Sequence, residues 1–196
     1  TARFGAGVWE RATREPGWRG RLGHSTVSFD GELWVMGGSL PRATIQIPMS
    51  SPPRYISYVS HPSSLWNSAD GVTWSQEPVQ AGWNGRRYAG LVAHQDKLWF
   101  MGGEVEGDST VRINDVWRSD NGVEWTQVLE HAPWSERASF GLLSFGGKLW
   151  VLGGGDGLAK NDVWSSTDGV QWTQVTGDAP WTPSEHLTAL AYGGKM

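Results

Sequence analysis

Every tryptophan in this chain belongs to one of four repeating columns, and that periodicity restricts the possible folds more than any other feature of the sequence. The first column follows Leu in ELWVMGG, KLWFMGG and KLWVLGG, at Trp34, Trp99 and Trp150. The second precedes a Ser-rich turn, at Trp66, Trp117 and Trp164 in SLWNSADG, DVWRSDNG and DVWSSTDG. The third follows that turn at Trp74, Trp125 and Trp172, with Trp9 as a fourth member. The last lies nine residues further on, at Trp18, Trp83, Trp134 and Trp181. Successive third-column positions are 65, 51 and 47 residues apart.

Periods of this size are typical of propellers and related arrays, in which a supersecondary unit buries its faces against its neighbours. One period reads as four short strands separated by turn signals. Strand a is STVSF, GLVAH, GLLSF or TALAY, and strand b is ELWVMGG or a copy of it. Strand c carries the second tryptophan, and strand d follows the turns Asp70-Gly71, Asn121-Gly122 and Asp168-Gly169. Asx-Gly between apolar runs is a strong hairpin signal. In strand b, Leu33 and Val35 alternate with Trp34 and Met36, so both pleat faces are apolar and both must be covered. Strand a has small residues in shared columns, such as Ser25, Gly90, Gly141 and Thr188, which suit the crowded strand nearest a propeller axis. The tryptophans then act as filler between sheets that bury little by themselves.

Composition narrows the function classes. The net charge of -4 gives no electrostatic footprint for nucleic acid or anionic membrane. No apolar run approaches the roughly 18 residues of a membrane span. With zero Cys there is no disulfide framework, thiolate metal site or Cys nucleophile, and either redox compartment is compatible. The five histidines show no metal-ligand spacing, and GGGDGLAK lacks the Gly-Lys-Ser/Thr ending and helix start of a phosphate loop. Asp156 and Asp162 do not fit a calcium loop, and EVEGD reads as a solvated loop before it reads as a cation site. No cofactor, metal ligand or catalytic residue is expected.

The run ending in Gly37-Gly38, Gly102-Gly103 or Gly153-Gly154, followed by two spaced aromatics, resembles the kelch repeat of β-propellers, in a form similar to bacterial kelch-like proteins. The likeness extends to the central domain of galactose oxidase, without its Cys–Tyr cross-link. It covers nearly the whole chain and recurs three times, although the aromatic pair here is Trp and Trp, eight apart, rather than Tyr and Trp, seven apart. The turns SADGVTW, SDNGVEW and TDGVQW also resemble the Asp-box of sialidase-type propellers, one residue shorter between Asp and Trp. The resemblance implies an all-β fold, a β-propeller of four-stranded antiparallel blades. It slightly favours a secreted or periplasmic address.

The columns divide the chain into an outer strand of a preceding blade (1–16), three repeats (17–79, 80–130 and 131–177) and the start of a further one (178–196). Open strand edges are a hazard that propellers remove by closure. The expectation is a part of a longer propeller, or one that closes by pairing with another chain as a homo-oligomer.

Function has to be argued from sites, since propellers host many chemistries. The b-to-c loops vary most: residues 39–64, 104–113 and 155–160. Long connections tend to be functional. The 39–64 loop carries Arg54, Tyr55, Tyr58 and His61 and is the leading binding-loop candidate, against the plainer reading of a loop packed over a blade. Residues present in every copy serve the fold; those that break the pattern are freer to meet a ligand. Trp-x-x-Arg recurs at Arg21, Arg86 and Arg137 and fails at Ser184. These guanidinium groups can hold a carboxylate, or can stack on Trp and bond loop carbonyls, the role that repetition favours. Arg87, Tyr88, His24 and His94 break their columns; a lone His in an apolar column is usually a satisfied core residue. The leading function is a non-catalytic module presenting loops 39–64 and 104–113 to a protein or a glycan. The alternative is a carbohydrate-active propeller resembling sialic acid epimerases or sialidases, with Arg21, Arg86 and Arg137 gripping a carboxylate.

Overall fold

The computed structural model describes residues 10–40, 43–46, 55–58, 63–78, 82–105 and 111–196. Three four-stranded antiparallel sheets follow one another along the chain, and the described residues form no helix. The first sheet has the order β1 (Leu22–Phe29), β2 (Glu32–Ser39), β5 (Leu65–Ser68), β6 (Ser75–Glu77). Between β2 and β5, the strands β3 (Ala43–Gln46) and β4 (Tyr55–Tyr58) pair into a separate hairpin, so the 39–64 segment is not a plain loop. In the second sheet β8 (Gly90–His94), β9 (Lys97–Val105), β10 (Val111–Ser119) and β11 (Thr126–Leu129) follow in order, and the short β7 (Arg86–Arg87) extends the sheet along the end of β9. The third has β12 (Gly141–Phe145), β13 (Lys148–Gly155), β14 (Ala159–Ser166) and β15 (Thr173–Thr176). β1 packs beside β8 and β8 beside β12, so the first strands of the three sheets are neighbours.

Local chemistry sets these strands. Each first hairpin closes on two consecutive left-handed residues, Asp30-Gly31, Gln95-Asp96 and Gly146-Gly147, the geometry that matches strand twist. The second hairpin is a hydrogen-bonded box. Ser68 Oγ accepts from the Gly71 N–H, and Asp70 Oδ1 accepts from the N–H groups of Val72 and Thr73. Ser119 with Asn121, and Ser166 with Asp168, repeat the pattern. The third-column tryptophan closes each box, its indole donating to the carbonyl of Gly71, Gly122 or Gly169.

Packing between sheets uses the tryptophan and glycine columns together. A Cβ at Gly122 would stand 2.7 Å from the ring of Trp34 in the preceding sheet, and Gly169 abuts Trp99 in the same way. The double glycines carry the next junction. Gly37 faces the Arg86 carbonyl, and the N–H groups of Gly103 and Gly154 donate to Arg137 and Ser184 in the next repeat. All six glycines have positive φ, which L side chains adopt only with strain. Trp83, Phe100, Trp117 and Trp125 interlock with ring centroids 5.0 to 6.1 Å apart, edge to face in every pair but the tilted Trp83–Phe100.

The expectation at the C-terminal end is corrected. The TALAY segment forms no strand; Tyr192 and Lys195 close only an isolated bridge around Gly193-Gly194. Leu190 and Tyr192 are exposed there, so nothing in the structure pays the entropy of ordering a strand. Residues 10–16 hold no strand, and residues 1–9, the rest of the segment in which an outer strand is expected, lie outside the described ones.

Candidate functional site

The Trp-x-x-Arg motif is a structural joint in two of its three copies. Arg86 Nη1 donates to Asp115 Oδ1 at 2.6 Å and Nη2 to Oδ2 at 3.0 Å, with a further bond from Nη1 to the Gly102 carbonyl. Arg137 does the same with Asp162 and the Gly153 carbonyl. Each carboxylate also accepts from the indole two residues on, Trp117 or Trp164. Both arginines are buried, each 6 Å or less from the ring of its own tryptophan, Trp83 or Trp134. Burial alone would raise the Asp162 carboxyl, but the bonds from Arg137 and Trp164 outweigh it and hold the group below its ordinary range. Asn114 and Asn161, just before these aspartates, donate to carbonyls of the following Ala-Pro-Trp turn.

Arg21 differs: its Nη1 reaches the Gly37 carbonyl at 2.9 Å and Ser64 Oγ at 2.8 Å, and among the described residues no carboxylate. Partial burial lowers its pKa from the ordinary value. His24, two residues beyond β1's start, is pushed down by burial first and then by the Arg21 charge.

Residues that break the repeat gather along one rim. The position two beyond each motif arginine, or beyond Ser184 in the fourth copy, is occupied by Gly23, Tyr88, Ser139 and His186, all at positive φ. A backbone chain links them: the Tyr88 N–H donates to Gly23, Ser139 to Tyr88 and Leu187 to Ser139. The fold thus imposes one backbone conformation on four different side chains. A non-glycine residue there is held against its preference by its surroundings. The Tyr88 ring lies over Gly23, meets His186 edge-on at 5.2 Å, and sits 5.1 Å from the Arg87 guanidinium. Arg87 Nε donates to Glu104 Oε2 at 2.9 Å, while Arg112 approaches Oε1 of the same carboxylate at 3.3 Å. Beside this pair, Arg112, Ser135, Glu136 and Asp156 line a cleft of about 540 Å³.

Sequence reasoning singled out Arg87 and Tyr88 but not His186 or Arg112; Glu104, read within EVEGD as part of a solvated loop, is instead buried at the end of β9 between Arg87 and Arg112. Aligning the column after the motif arginine would have shown His186. Arg54 and His61 lie outside the described residues; Tyr55 and Tyr58 bound β4. His94 is buried, as a core residue would be, with Nδ1 2.8 Å from Ser144 Oγ. Among the described residues its Nε2 has no partner, and His94 lines a cleft of about 590 Å³ together with Asp30, Asp96 and Asp120. A third, apolar cleft of about 470 Å³ runs between Leu143, Leu152 and the segment from Trp181 to Met196. Among the described residues no group of three His, Asp or Glu is placed to hold a metal ion, and no helix is long and apolar enough to cross a membrane.

No family model and no curated protein matches the chain. Among solved structures it is similar to YjhT, with a TM-score of 0.62 at 15% identity, covering 84% of this chain and 54% of that one. The chain therefore spans about half the length of that protein, and at this identity the likeness shows the fold alone.

Proposed function

We propose that the chain is a set of kelch-like propeller blades that serves as a non-catalytic glycan-binding module, its ligand held at the cluster of Arg87, Tyr88 and His186; much of the 39–64 segment and residues 106–110 lie outside the described residues. The observation that carries this reading is the convergence of the adjacent Arg87 and Tyr88 with His186 of the 178–196 segment, Tyr88 and His186 standing at positions where the repeat dictates the backbone but not the side chain. An aromatic ring beside fixed charged groups suits a ligand with alternating apolar faces and hydroxyls. The propeller arrangement is supported by three successive four-stranded sheets with adjacent first strands, and by the likeness to YjhT. The division into repeats at 17–79, 80–130 and 131–177 belongs to the same proposal.

The alternative, three arginines gripping one carboxylate, has less support, because Arg86 and Arg137 already hold Asp115 and Asp162. The test is glycan-array binding followed by calorimetry on wild type, Arg87→Ala and Tyr88→Gly. Glycine already stands in the Tyr88 column at Gly23, so Tyr88→Gly keeps the backbone. Lost binding at an unchanged melting temperature supports the reading. Absence of any glycan affinity at millimolar concentration, or binding indifferent to both changes, overturns it.

A further inference from the structure

Two of the five asparagines in the chain are followed by glycine, at Asn84-Gly85 and Asn121-Gly122. In Asn-Gly the second residue's amide nitrogen reaches the first residue's side-chain carbonyl with least obstruction, because glycine has no Cβ and turns freely. The fold treats the two pairs in opposite ways. Asn121 Oδ1 accepts from the N–H groups of Val123 and Glu124, and the buried Gly122 N–H donates to Ser119 Oγ at 2.8 Å. Turning the Asn121 amide onto the Gly122 nitrogen breaks that box. Three further asparagines are also tied down: Asn67 Nδ2 donates to Glu32, Asn114 to the carbonyls of Ala132 and Trp134, and Asn161 to those of Ala179 and Trp181. Asn84 is different. It is exposed in a stretch without regular structure, and among the described residues neither its side chain nor the Gly85 N–H makes a hydrogen bond. Arg19, Ser135 and Thr182 stand at its place in the other copies of the motif, so the repeat does not require the amide.

We propose that Asn84-Gly85 is a site of spontaneous intramolecular modification in the folded protein, which turns Asn84 into aspartate and isoaspartate and loosens the Arg86 joint, while Asn121-Gly122 is protected. The Gly85 amide nitrogen gives its proton to water and attacks the Asn84 side-chain carbonyl carbon. A C–N bond closes a succinimide ring, and the side-chain nitrogen leaves as ammonia, taking up a proton. Water then opens the ring at either carbonyl. Only local freedom at an exposed stretch is needed for the attack. Isoaspartate carries the main chain through the side-chain carbon, which adds a methylene between two anchored residues. Trp83 is packed in the core, and Arg86 is bonded to Asp115 and the Gly102 carbonyl. The inference is independent of the glycan reading, since the reaction uses no residue of the Arg87–Tyr88–His186 cluster.

The experiment incubates the whole chain in mildly alkaline buffer, folded and in urea, and follows the peptides carrying each pair by mass spectrometry, with chromatography to separate aspartate from isoaspartate. In urea both pairs should convert at similar rates. In the folded chain Asn121 should slow by roughly tenfold or more, the effect of the hydrogen bonds that must break, whereas Asn84 keeps nearly its unfolded rate. Ser119→Ala, which frees the Gly122 N–H, should speed conversion of Asn121. The isolated isoaspartate species should melt below wild type, and Asn84→Asp, which has the charge without the longer main chain, should melt with it. Folding that slows Asn84 as much as Asn121, an Asn121 that reacts as fast folded as in urea, or an isoaspartate species that melts with wild type overturns the proposal.

Discussion

Asp115 accepts three hydrogen bonds, two from Arg86 and one from Trp117, and all of these groups are buried. Removing it strands a buried guanidinium. Asp115→Ala is therefore expected to lose about 3 to 5 kcal/mol in urea unfolding, while Arg86→Met combined with Asp115→Leu loses much less than either single change. Double-mutant unfolding curves check this. Sequence spacing exposed the repeated arginines and their structural bias, because repetition is visible in one dimension. The aspartate partner was not legible, since it lies 29 residues away and meets Arg86 only when β7 and β10 flank β9. His186 went unread for the opposite reason. Its column holds Gly, Tyr, Ser and His, a set with no shared chemistry, united only by backbone geometry.

The turn between the third and fourth strands of each sheet shows how an element can be specified by polar atoms alone. Asp168 titrates below its ordinary value because the backbone N–H groups of Gln171 and Val170 bond its charged form, and Asp70 does so through Thr73 and Val72. With folded pKa values depressed, the stability these groups supply is present above about pH 4, the unfolded value, and is lost as pH falls through the folded one. Asn121 makes the same two bonds without a charge. Asp168→Asn should thus cost little at neutral pH, whereas Asp168→Ala costs about 1 kcal/mol. The gap between wild type and Asp168→Asn should narrow toward about pH 3, read from unfolding midpoints across pH. These hairpins were legible because Ser-x-Asx-Gly encodes its own hydrogen bonds. The β3–β4 hairpin inside 39–64 was not, since no turn signal of that kind separates its strands.

Across the whole molecule, the three sheets stand together through residues that recur. First-column tryptophans of one sheet lie on the turn glycine of the next: Trp34 on Gly122, and Trp99 on Gly169. The indoles are correspondingly buried, while Leu33, on the outer face of the first sheet, is half exposed and its equivalents Leu98 and Leu149 are fully covered. The tryptophan columns alone pointed to this stacking, because large side chains at a fixed period have no other place to be buried. Which glycine each ring meets depends on the offset between sheets, which no spacing within a single repeat records. The most direct test compares Gly71→Ala with Gly169→Ala by urea unfolding. Both positions share the same backbone strain, with φ of 71° and 72°, but among the described residues a methyl at Gly71 meets only Leu33 at 3.6 Å, whereas one at Gly169 collides with Trp99. Stacking through the tryptophans predicts a loss of about 1 kcal/mol for Gly71→Ala and at least twice that for Gly169→Ala, with a red-shifted indole emission only in the second. Equal losses and unchanged emission would show that the tryptophans do not bind the sheets to one another.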